Sequence, residues 1–202
     1  RNFYETFKPN TTWRDVLEDV KSKLASGESP ENVFDKVKRN NNLVFVHLLG
    51  RWNILGERNT FLCNSWYDGI YDFHEGFAEV YDDNKGYNFI NSDGKEICDR
   101  WYNEVGNFSE GFAMVQYYDK GYNFINSDGK EICDRWYDDA HYFSEGFAIV
   151  VDENKGCNFI NSDGEDVFGR WYDYATEFRE GFAMVYDNNK GYNFINREGK
   201  EL

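Results

Sequence analysis

A repeat of 35 residues runs through most of this sequence. The element Glu-Gly-Phe-Ala recurs four times at that step, with its glycines at Gly76, Gly111, Gly146 and Gly181. Tryptophans recur at the same step, at Trp66, Trp101, Trp136 and Trp171. The segment from Lys85 to Tyr102 returns letter for letter from Lys120 to Tyr137. A fixed period of this length indicates an array of units that bury their apolar surfaces against one another.

The repeat also sets the predicted domain boundaries. Residues 1–42 lie outside the pattern and residues 43–202 form the array. The array divides into a degenerate unit and four further units, at 43–66, 67–101, 102–136, 137–171 and 172–202. The chain stops at Glu201-Leu202, in phase with Glu96-Ile97. We therefore expect a partial final unit, either truncated or completed by another segment.

Each unit is predicted to be a small antiparallel β-meander. Phe77 to Tyr81 alternates apolar and other residues, which is typical of a strand with one buried face. Asp82 to Lys85 has turn composition, and Gly86 to Asn91 is predicted to be the returning strand. Asn91-Ser-Asp-Gly94 is a hairpin signal, because such turns need a positive φ. Lys95 to Cys98 is predicted to be a third strand, and the Trp101-Tyr102 region a fourth strand or a packed connection.

The fold class predicted is therefore all-β: antiparallel hairpin units of three to four strands with a period of 35. Tight turns between successive strands exclude a parallel β-helix. Five units could close as a small propeller or continue as an open superhelix. A four-stranded propeller blade usually needs ~40–45 residues, so the short period slightly favours an open array.

The first 42 residues are predicted to form a helical hairpin. Thr12-x-x-Asp15 is a capping signal before apolar residues at helical spacing, which end before Gly27. Ser29-Pro30 signals a second helix, which would carry Val33, Phe34 and Val37 and end near Lys36, Lys38 and Arg39. We expect this segment to cap the exposed edge of the first unit. The alternative is a docking module for another protein.

Charge is divided along the same boundary. Residues 1–66 contain 10 basic and 8 acidic residues, whereas residues 67–202 contain 12 basic and 29 acidic ones. So acidic an array would repel a phosphate backbone, which argues against a nucleic-acid partner. No window approaches the ~20 apolar residues of a membrane span.

Residues suited to catalysis or metal binding do not converge. His47, His74 and His141 occupy three different phases of the repeat. Cys63, Cys98 and Cys133 share one phase without zinc-site spacing, which favours small buried side chains. The repeated carboxylates, as at Asp82 and Asp93 with their equivalents, fit hairpin turns better than an asymmetric active site. We expect no enzyme, no catalytic residues, no bound metal and no cofactor.

Constant and variable positions are expected to have different roles. The constant Glu before Gly-Phe-Ala and the constant Lys before the second strand should satisfy turns or pair across units. The stretches 69–72, 81–84 and their equivalents vary, and variable turn tips on a constant scaffold are where recognition usually lies. The candidate partner-binding residues are Tyr71, Asp82, Tyr117, Tyr118, Asp119, Tyr142 and Tyr174.

The unit resembles the WG-containing repeat of bacterial and some phage-encoded proteins. The resemblance rests on Tyr137-Asp138, Phe143 to Ala148 and Ile125 to Lys130, and covers about residues 43–202. The dipeptide that names the family is replaced by Tyr-Asn or Cys-Asn, at Tyr87-Asn88, Tyr122-Asn123, Cys157-Asn158 and Tyr192-Asn193. The resemblance implies an all-β repeat scaffold without catalytic residues.

Two functions remain open at this point. The first is a non-enzymatic scaffold that mediates protein–protein binding or structural assembly through variable acidic, Tyr-rich turn tips, which suit a partner with a basic surface. The second is a module that binds a carbohydrate or a cell surface through repeated aromatic slots at Tyr87, Tyr122 and Tyr192.

Overall fold

Each repeat folds into three antiparallel strands joined by tight turns. The structure is a computed structural model that describes residues 12–40 and 42–202, and these residues contain five three-stranded sheets. Sheet 1 consists of β1 (Lys36–Asn40), β2 (Leu43–Leu48) and β3 (Arg51–Leu55). Sheet 2 consists of β4 (Gly69–His74), β5 (Phe77–Asp82) and β6 (Gly86–Asn91). The all-β prediction with antiparallel units is confirmed.

The other three sheets repeat this plan. Sheet 3 consists of β7 (Glu104–Val105), β8 (Phe112–Tyr117) and β9 (Gly121–Asn126). Sheet 4 consists of β10 (Asp139–Ala140), β11 (Ala148–Asp152) and β12 (Gly156–Ile160), and sheet 5 of β13 (Tyr174–Ala175), β14 (Phe182–Asp187) and β15 (Gly191–Asn196). In every sheet the strands are ordered as in the chain, so the first strand lies at one edge.

The outer strands differ from the prediction. The predicted third strand at Lys95 to Cys98 is reduced to one bridge, between Ile90 and Glu96, and the fourth to another, between Tyr87 and Tyr102. The first strand of sheets 2 to 5 comes instead from the variable stretches that begin at 69, 104, 139 and 174, which we had predicted as turn tips. They pair with the middle strand, as Ile70 does with Val80.

The sheets stack on one another through opposite faces. On sheet 2, Ala78, Val80 and Ile90 form a front face that packs on Phe45 and Ile54 of sheet 1. Its back face carries Phe77 and Phe89, which pack on Ala113, Val115 and Ile125 of sheet 3. The same pattern joins sheet 3 to sheet 4 and sheet 4 to sheet 5. Sheets 2 to 4 therefore have both faces covered, whereas the alternating sequence pattern predicted strands with only one buried face.

A helix covers the free face at the N-terminal end of the stack. The helix α1 (Trp13–Ala25) begins at Thr12 with the predicted capping box to Asp15. Its Val16, Val20 and Leu24 pack on the front face of sheet 1, at Val46 and Leu48. The predicted cap is thus present, but it covers a face rather than an edge.

The second predicted helix is mostly wrong. The helix α2 (Pro30–Val33) is a single turn, and Lys36–Asn40 is strand β1, paired with β2. The first sheet therefore begins before residue 43. Residues 1–11 and 41 of the predicted 1–42 segment lie outside the described residues.

The opposite end of the stack is uncovered. Phe194 on the back face of sheet 5 is 50% exposed, whereas its equivalent Phe159 is fully buried against sheet 5. Because α1 already occupies the front face of sheet 1, the two end sheets do not pack together. The five sheets form an open stack rather than a closed ring.

The glycine excess follows from close contact between segments. A Cβ on Gly121, whose φ is +96°, would lie 2.0 Å from the carbonyl oxygen of Tyr137. A Cβ on Gly129, in the Asn-Ser-Asp-Gly turn, would lie 2.1 Å from the carbonyl oxygen of Ile97 in the preceding unit. Both positions require positive φ and permit no side chain.

A buried asparagine in the third strand of sheets 1 to 3 hydrogen-bonds backbone groups that would otherwise lack partners. Asn123 has no exposed surface, and its Oδ1 accepts from the amides of Phe124 (2.7 Å) and Cys133 (3.4 Å). Its Nδ2 donates to the carbonyl of Cys133 at 2.9 Å. Asn53 and Asn88 make the corresponding bonds. The buried Asn at this phase of the repeat therefore has a structural role.

We expect Asn123→Ala to lower the free energy of unfolding by about 2–3 kcal/mol, because it leaves buried backbone groups of Phe124 and Cys133 without partners. Urea titration followed by fluorescence would measure this. The matched control is Asn193→Ala, since Asn193 is half-buried and bonds only Phe194 and the side chain of Glu201. An equal loss in both variants would contradict the role assigned to the buried amide.

Candidate partner-binding surface

The constant glutamates form a ladder that joins successive units. Glu110 adopts a positive φ of 53°, and its carboxylate accepts from the amides of Glu145 and Gly146 in the next unit, both at 2.8 Å. Glu75 makes the same two bonds to Glu110 and Gly111, at 3.0 and 2.8 Å. The prediction that this residue satisfies a turn in the adjacent unit is confirmed.

The ladder changes at its last step. The Glu145 carboxylate accepts from the Gly181 amide and also binds Arg197 at 2.9 Å. The Arg197 guanidinium, with the Gly181 amide next, holds the pKa of Glu145 below its usual range.

The constant lysines contact the constant tryptophans. The Nζ atoms of Lys85, Lys120 and Lys155 lie 4.8, 5.3 and 5.1 Å from the ring centroids of Trp101, Trp136 and Trp171. These are cation–π contacts at the boundary between units. Together with the Glu ladder, these contacts indicate that the constant charged side chains join the units to one another.

Three predicted residues lie together where strand β8 ends and the β8–β9 turn begins. Tyr117, Tyr118 and Asp119 are all exposed, and Tyr118 is the most exposed large apolar residue in the described chain, at 75%. We call these three the tip group. The Tyr118 amide donates to Oδ1 of Asn103 at 2.9 Å, which ties the turn to the residue just before edge strand β7.

The other predicted tyrosines lie along the edge strands. Tyr71 is in β4, Tyr142 follows β10 and Tyr174 is in β13, and all three are exposed. The Tyr142 ring reaches across to Gly106 of the preceding unit, where a Cβ would be 2.8 Å from it. The edge of sheet 4 therefore contacts the edge of sheet 3.

Acidic residues flank these tyrosines. Glu104 and Asp139, each the first residue of its edge strand, are exposed, and Glu177 follows β13. We define the edge surface as Tyr71, Tyr142 and Tyr174 with Glu104, Asp139 and Glu177. Our sequence analysis missed these three acids as site residues; the signal was their variation between units at matching phases.

Asp82 has a different environment from the other predicted residues. It is buried, its Oδ1 accepts from the Asn84 amide at 3.0 Å, and its Oδ2 lies 3.4 Å from Arg51. Its equivalents Asp152 and Asp187 make the same turn bond. Asp82 is therefore explained as a turn residue, and we leave it out of the candidate surface.

The tyrosine hydroxyls near the surface stay protonated. Burial, followed by the nearby Tyr71, raises the pKa of Tyr87, and burial followed by Asp139 and Glu104 raises the pKa of Tyr122. Both remain neutral hydrogen-bonding groups at physiological pH.

The cysteines are shielded thiols. Burial raises the pKa of Cys63 to about 11 and those of Cys98 and Cys133 to about 12. Cys157 is only half-buried, and burial raises its pKa too. All four are free. Among the described residues, no group of His, Cys, Asp and Glu could hold a metal ion.

This architecture defines a β-repeat protein in which constant residues join the units and variable residues line one edge. A family model described as "WG containing repeat" matches residues 67–85, 89–120, 124–155 and 159–190. The chain belongs to this family, which confirms the resemblance found in the sequence.

Several solved structures are similar to this chain at low sequence identity. The computationally designed Ika8 protein matches with 10% identity and a TM-score of 0.44, over 82% of this chain and 59% of that one. The designed Ika4 protein matches with 11% identity and a TM-score of 0.42, over 66% of this chain and 94% of that one. BamB from Moraxella catarrhalis matches with 10% identity and a TM-score of 0.39, over 82% of this chain and 61% of that one. The chain thus spans about three fifths of Ika8 and of BamB.

A search of curated proteins gave no match. In the described part of the chain, no helix is both long and apolar enough to cross a membrane.

We expect Glu110→Ala to lower the free energy of unfolding by about 1 kcal/mol, since two hydrogen bonds between sheets 3 and 4 are lost. Glu180→Ala is the control, because Glu180 has the same positive φ, 52°, without a following unit in this chain to bond. Chemical denaturation of both variants would measure the difference. Equal effects would mean that local turn geometry, not the ladder, matters.

The four thiols should differ in reactivity. At pH 8 we expect Cys157 to react first with a disulfide reagent, because Cys63, Cys98 and Cys133 are buried and their raised pKa values keep the thiolate scarce. Mass spectrometry of partly labelled native protein would identify the modified residue. Early labelling of Cys98 or Cys133 would contradict this picture.

Proposed function

We propose that the protein is a non-enzymatic scaffold that binds a protein partner through its edge surface and tip group. One observation carries this proposal: the constant charged side chains are engaged in joining the units, whereas the tyrosines that vary between units, with Glu104 and Asp139, are exposed along one edge. Variable residues on a rigid support are the usual arrangement of a recognition surface.

The chemistry of the surface indicates the kind of partner. Tyrosine supplies large contact area at low entropic cost and is enriched at binding hot spots. The array carries 29 acidic and 12 basic residues, so a basic partner surface would be attracted and its association accelerated. The edge strands also present unpaired backbone groups to which an extended segment could add.

Two further observations support the non-enzymatic part of the proposal. The histidines are dispersed: His47 lies in β2, His74 in β4 and His141 after β10. The thiols of Cys63, Cys98 and Cys133 are buried away from solvent and are protonated at physiological pH.

The carbohydrate alternative is less well supported. It depends on repeated open slots at Tyr87, Tyr122 and Tyr192, but Tyr87 and Tyr122 are half-buried while Tyr192 is 70% exposed. Tyr87 lies beside Tyr81, with ring centroids 4.8 Å apart. This position of the repeat therefore offers one exposed tyrosine ring and not a row of them.

The proposal is tested by capturing partners from the native host on the immobilised full chain and measuring their affinity for variants. Combined Tyr117→Ser, Tyr118→Ser and Asp119→Asn, or combined Tyr142→Ser and Tyr174→Ser, should weaken binding by at least about tenfold. The control is Asp93→Asn with Asp128→Asn, which removes charge from exposed turns that are constant between units, and should change affinity by less than about twofold.

Unchanged affinity in both tyrosine variants would reject this surface for every captured partner. A glycan array with the same proteins distinguishes the alternative. Binding there that is lost with Tyr192→Ser and kept in the tyrosine variants above would favour the carbohydrate function instead.

A further inference from the structure

Glu79 is a carboxylate at a position where every other sheet of the described chain has an apolar side chain. It lies on the middle strand of sheet 2 and pairs with Phe89 of β6. The residues at this position in the other four sheets, each paired with the corresponding residue of the third strand, are Phe45, Met114, Ile149 and Met184. The repeat alone therefore does not account for a charge here.

The fold gives Glu79 no partner of its own. The residue is half-buried, and among the described residues nothing donates a hydrogen bond to it or forms an ion pair with it. His74 is the basic side chain that acts on it, from an exposed position on the edge strand β4. Burial outweighs His74 and raises the pKa of Glu79. An unpartnered carboxylate costs stability at a position that other sheets fill with methionine, which indicates a role beyond the fold.

Three tyrosines lie beside this carboxylate. Tyr81 follows Glu79 on the same face of β5 and pairs with Tyr87 of β6, with ring centroids 4.8 Å apart. Tyr71 of β4 lies back over its own strand, so that a Cβ built on Gly69 would be 3.5 Å from the Tyr71 ring and 3.5 Å from the Cβ of Tyr81. After burial, Tyr71, Tyr81 and Glu79 all raise the pKa of Tyr87. We call Tyr71, Tyr81, Tyr87 and Glu79 the Tyr–Glu cluster.

No other unit of the described chain combines these side chains. Sheet 5 repeats the tyrosine pair, with the rings of Tyr186 and Tyr192 4.7 Å apart, but has Met184 in place of the glutamate. Sheet 3 pairs Gln116 with Tyr122, and sheets 1 and 4 have no tyrosine at either position. Both faces of sheet 2 are covered by other sheets, so the cluster does not arise from an uncovered end of the stack.

Aromatic rings around one carboxylate are suited to an organic cation. The face of a tyrosine ring attracts an ammonium group, and the attraction is stronger where water is partly excluded. The Glu79 carboxylate adds a full negative charge, and the exposed Asp83, which acts on Tyr81, adds another nearby. A metal ion would need several oxygen or nitrogen ligands, and the described chain offers no group of three or more His, Cys, Asp and Glu side chains that could hold one.

We propose that the Tyr–Glu cluster is a binding site for an alkylammonium cation, such as the side chain of a lysine. The ammonium group pairs with the Glu79 carboxylate, and the methylene groups next to it lie against the tyrosine rings. Tyr71 belongs to the edge surface, so a lysine of the protein partner suits this position, and that source rests on the function proposed above. A free amine is the other source of the same chemistry.

Titration of the full chain with Nα-acetyl-lysine methylamide, followed by NMR of labelled tyrosine rings, tests the site. We expect saturable shifts of the Tyr71, Tyr81 and Tyr87 signals with a Kd of about 1–10 mM, since a single ammonium group is bound. The corresponding norleucine compound keeps an alkyl chain without the charge and should leave these signals unchanged. Tyr186 and Tyr192 are an internal control, because this tyrosine pair lacks the carboxylate and should not shift.

The variant Glu79→Met separates the site from the fold. It introduces the residue found at this position in sheets 3 and 5, so it should abolish binding of the lysine compound and raise the urea midpoint of unfolding. Glu79→Gln keeps the shape of the side chain and should raise the Kd at least about fivefold. Met114→Leu, at the equivalent position of sheet 3, is the matched control and should leave the Kd unchanged.

Three results would overturn the proposal. The first is the absence of saturable tyrosine shifts up to about 50 mM of the lysine compound. The second is an equal response to the norleucine compound, and the third is an unchanged Kd in Glu79→Met. None of them involves a partner, so the proposed scaffold function would stand.

A protein captured on the immobilised chain identifies the source of the cation. Affinity for Glu79→Met that is at least about tenfold weaker than for the wild type, with competition by the lysine compound, assigns the site to a lysine of the partner. Equal affinity for both chains, with the lysine compound still bound by the wild type, assigns it to a free amine.

Discussion

Contact between opposite sheet faces is the interaction on which this molecule depends. A single 35-residue unit is too small to bury its own aromatic side chains. Phe89, for example, is buried because Phe108 of the next unit packs against it, with ring centroids 5.0 Å apart. Stacking also brings backbone against backbone, which is why Gly121 and Gly129 tolerate no Cβ. The constant period, the glycine excess and the aromatic excess are three consequences of this one packing arrangement.

The same requirement separates structural from functional residues. The Glu ladder and the Lys–Trp contacts join the units, and the buried Asn holds backbone groups within each unit, so these constant residues are not free to change with a partner. Positions that point away from the stack carry no such constraint. They include the edge strands and the β8–β9 turn, where Tyr142, Tyr118 and Asp119 lie exposed. The scaffold therefore leaves a surface that can vary without loss of the fold.

Much of the fold could be predicted because its signals are local. The hairpin turns, the capping box at Thr12 and the antiparallel strand order all follow from short segments. The failures involve tertiary context. Lys36–Asn40 resembles a charged helix end, but pairing with Leu43–Leu48 makes it a strand. The 69–72 stretch looked like a turn tip, and only its pairing with β5 shows that it is an edge strand. Asn123 lies at a constant position of the repeat, but its role could be recognised only from the structure. The structure places its side chain against the backbone of Cys133, ten residues further along the chain.

Nearest-neighbour stacking also implies that the sheets are not equally stable. Sheets 3 and 4 have both faces covered by other sheets, whereas sheet 5 has one face in water. In an array whose stability is a sum of interface contributions, local opening costs most for sheets that are covered on both faces. Tyr117, Tyr118 and Tyr142 are attached to sheets 3 and 4, so they lie on the most firmly held part of the stack. Rigid support reduces the entropy lost when a partner binds, which favours this central region as the place where the edge surface makes its strongest contacts.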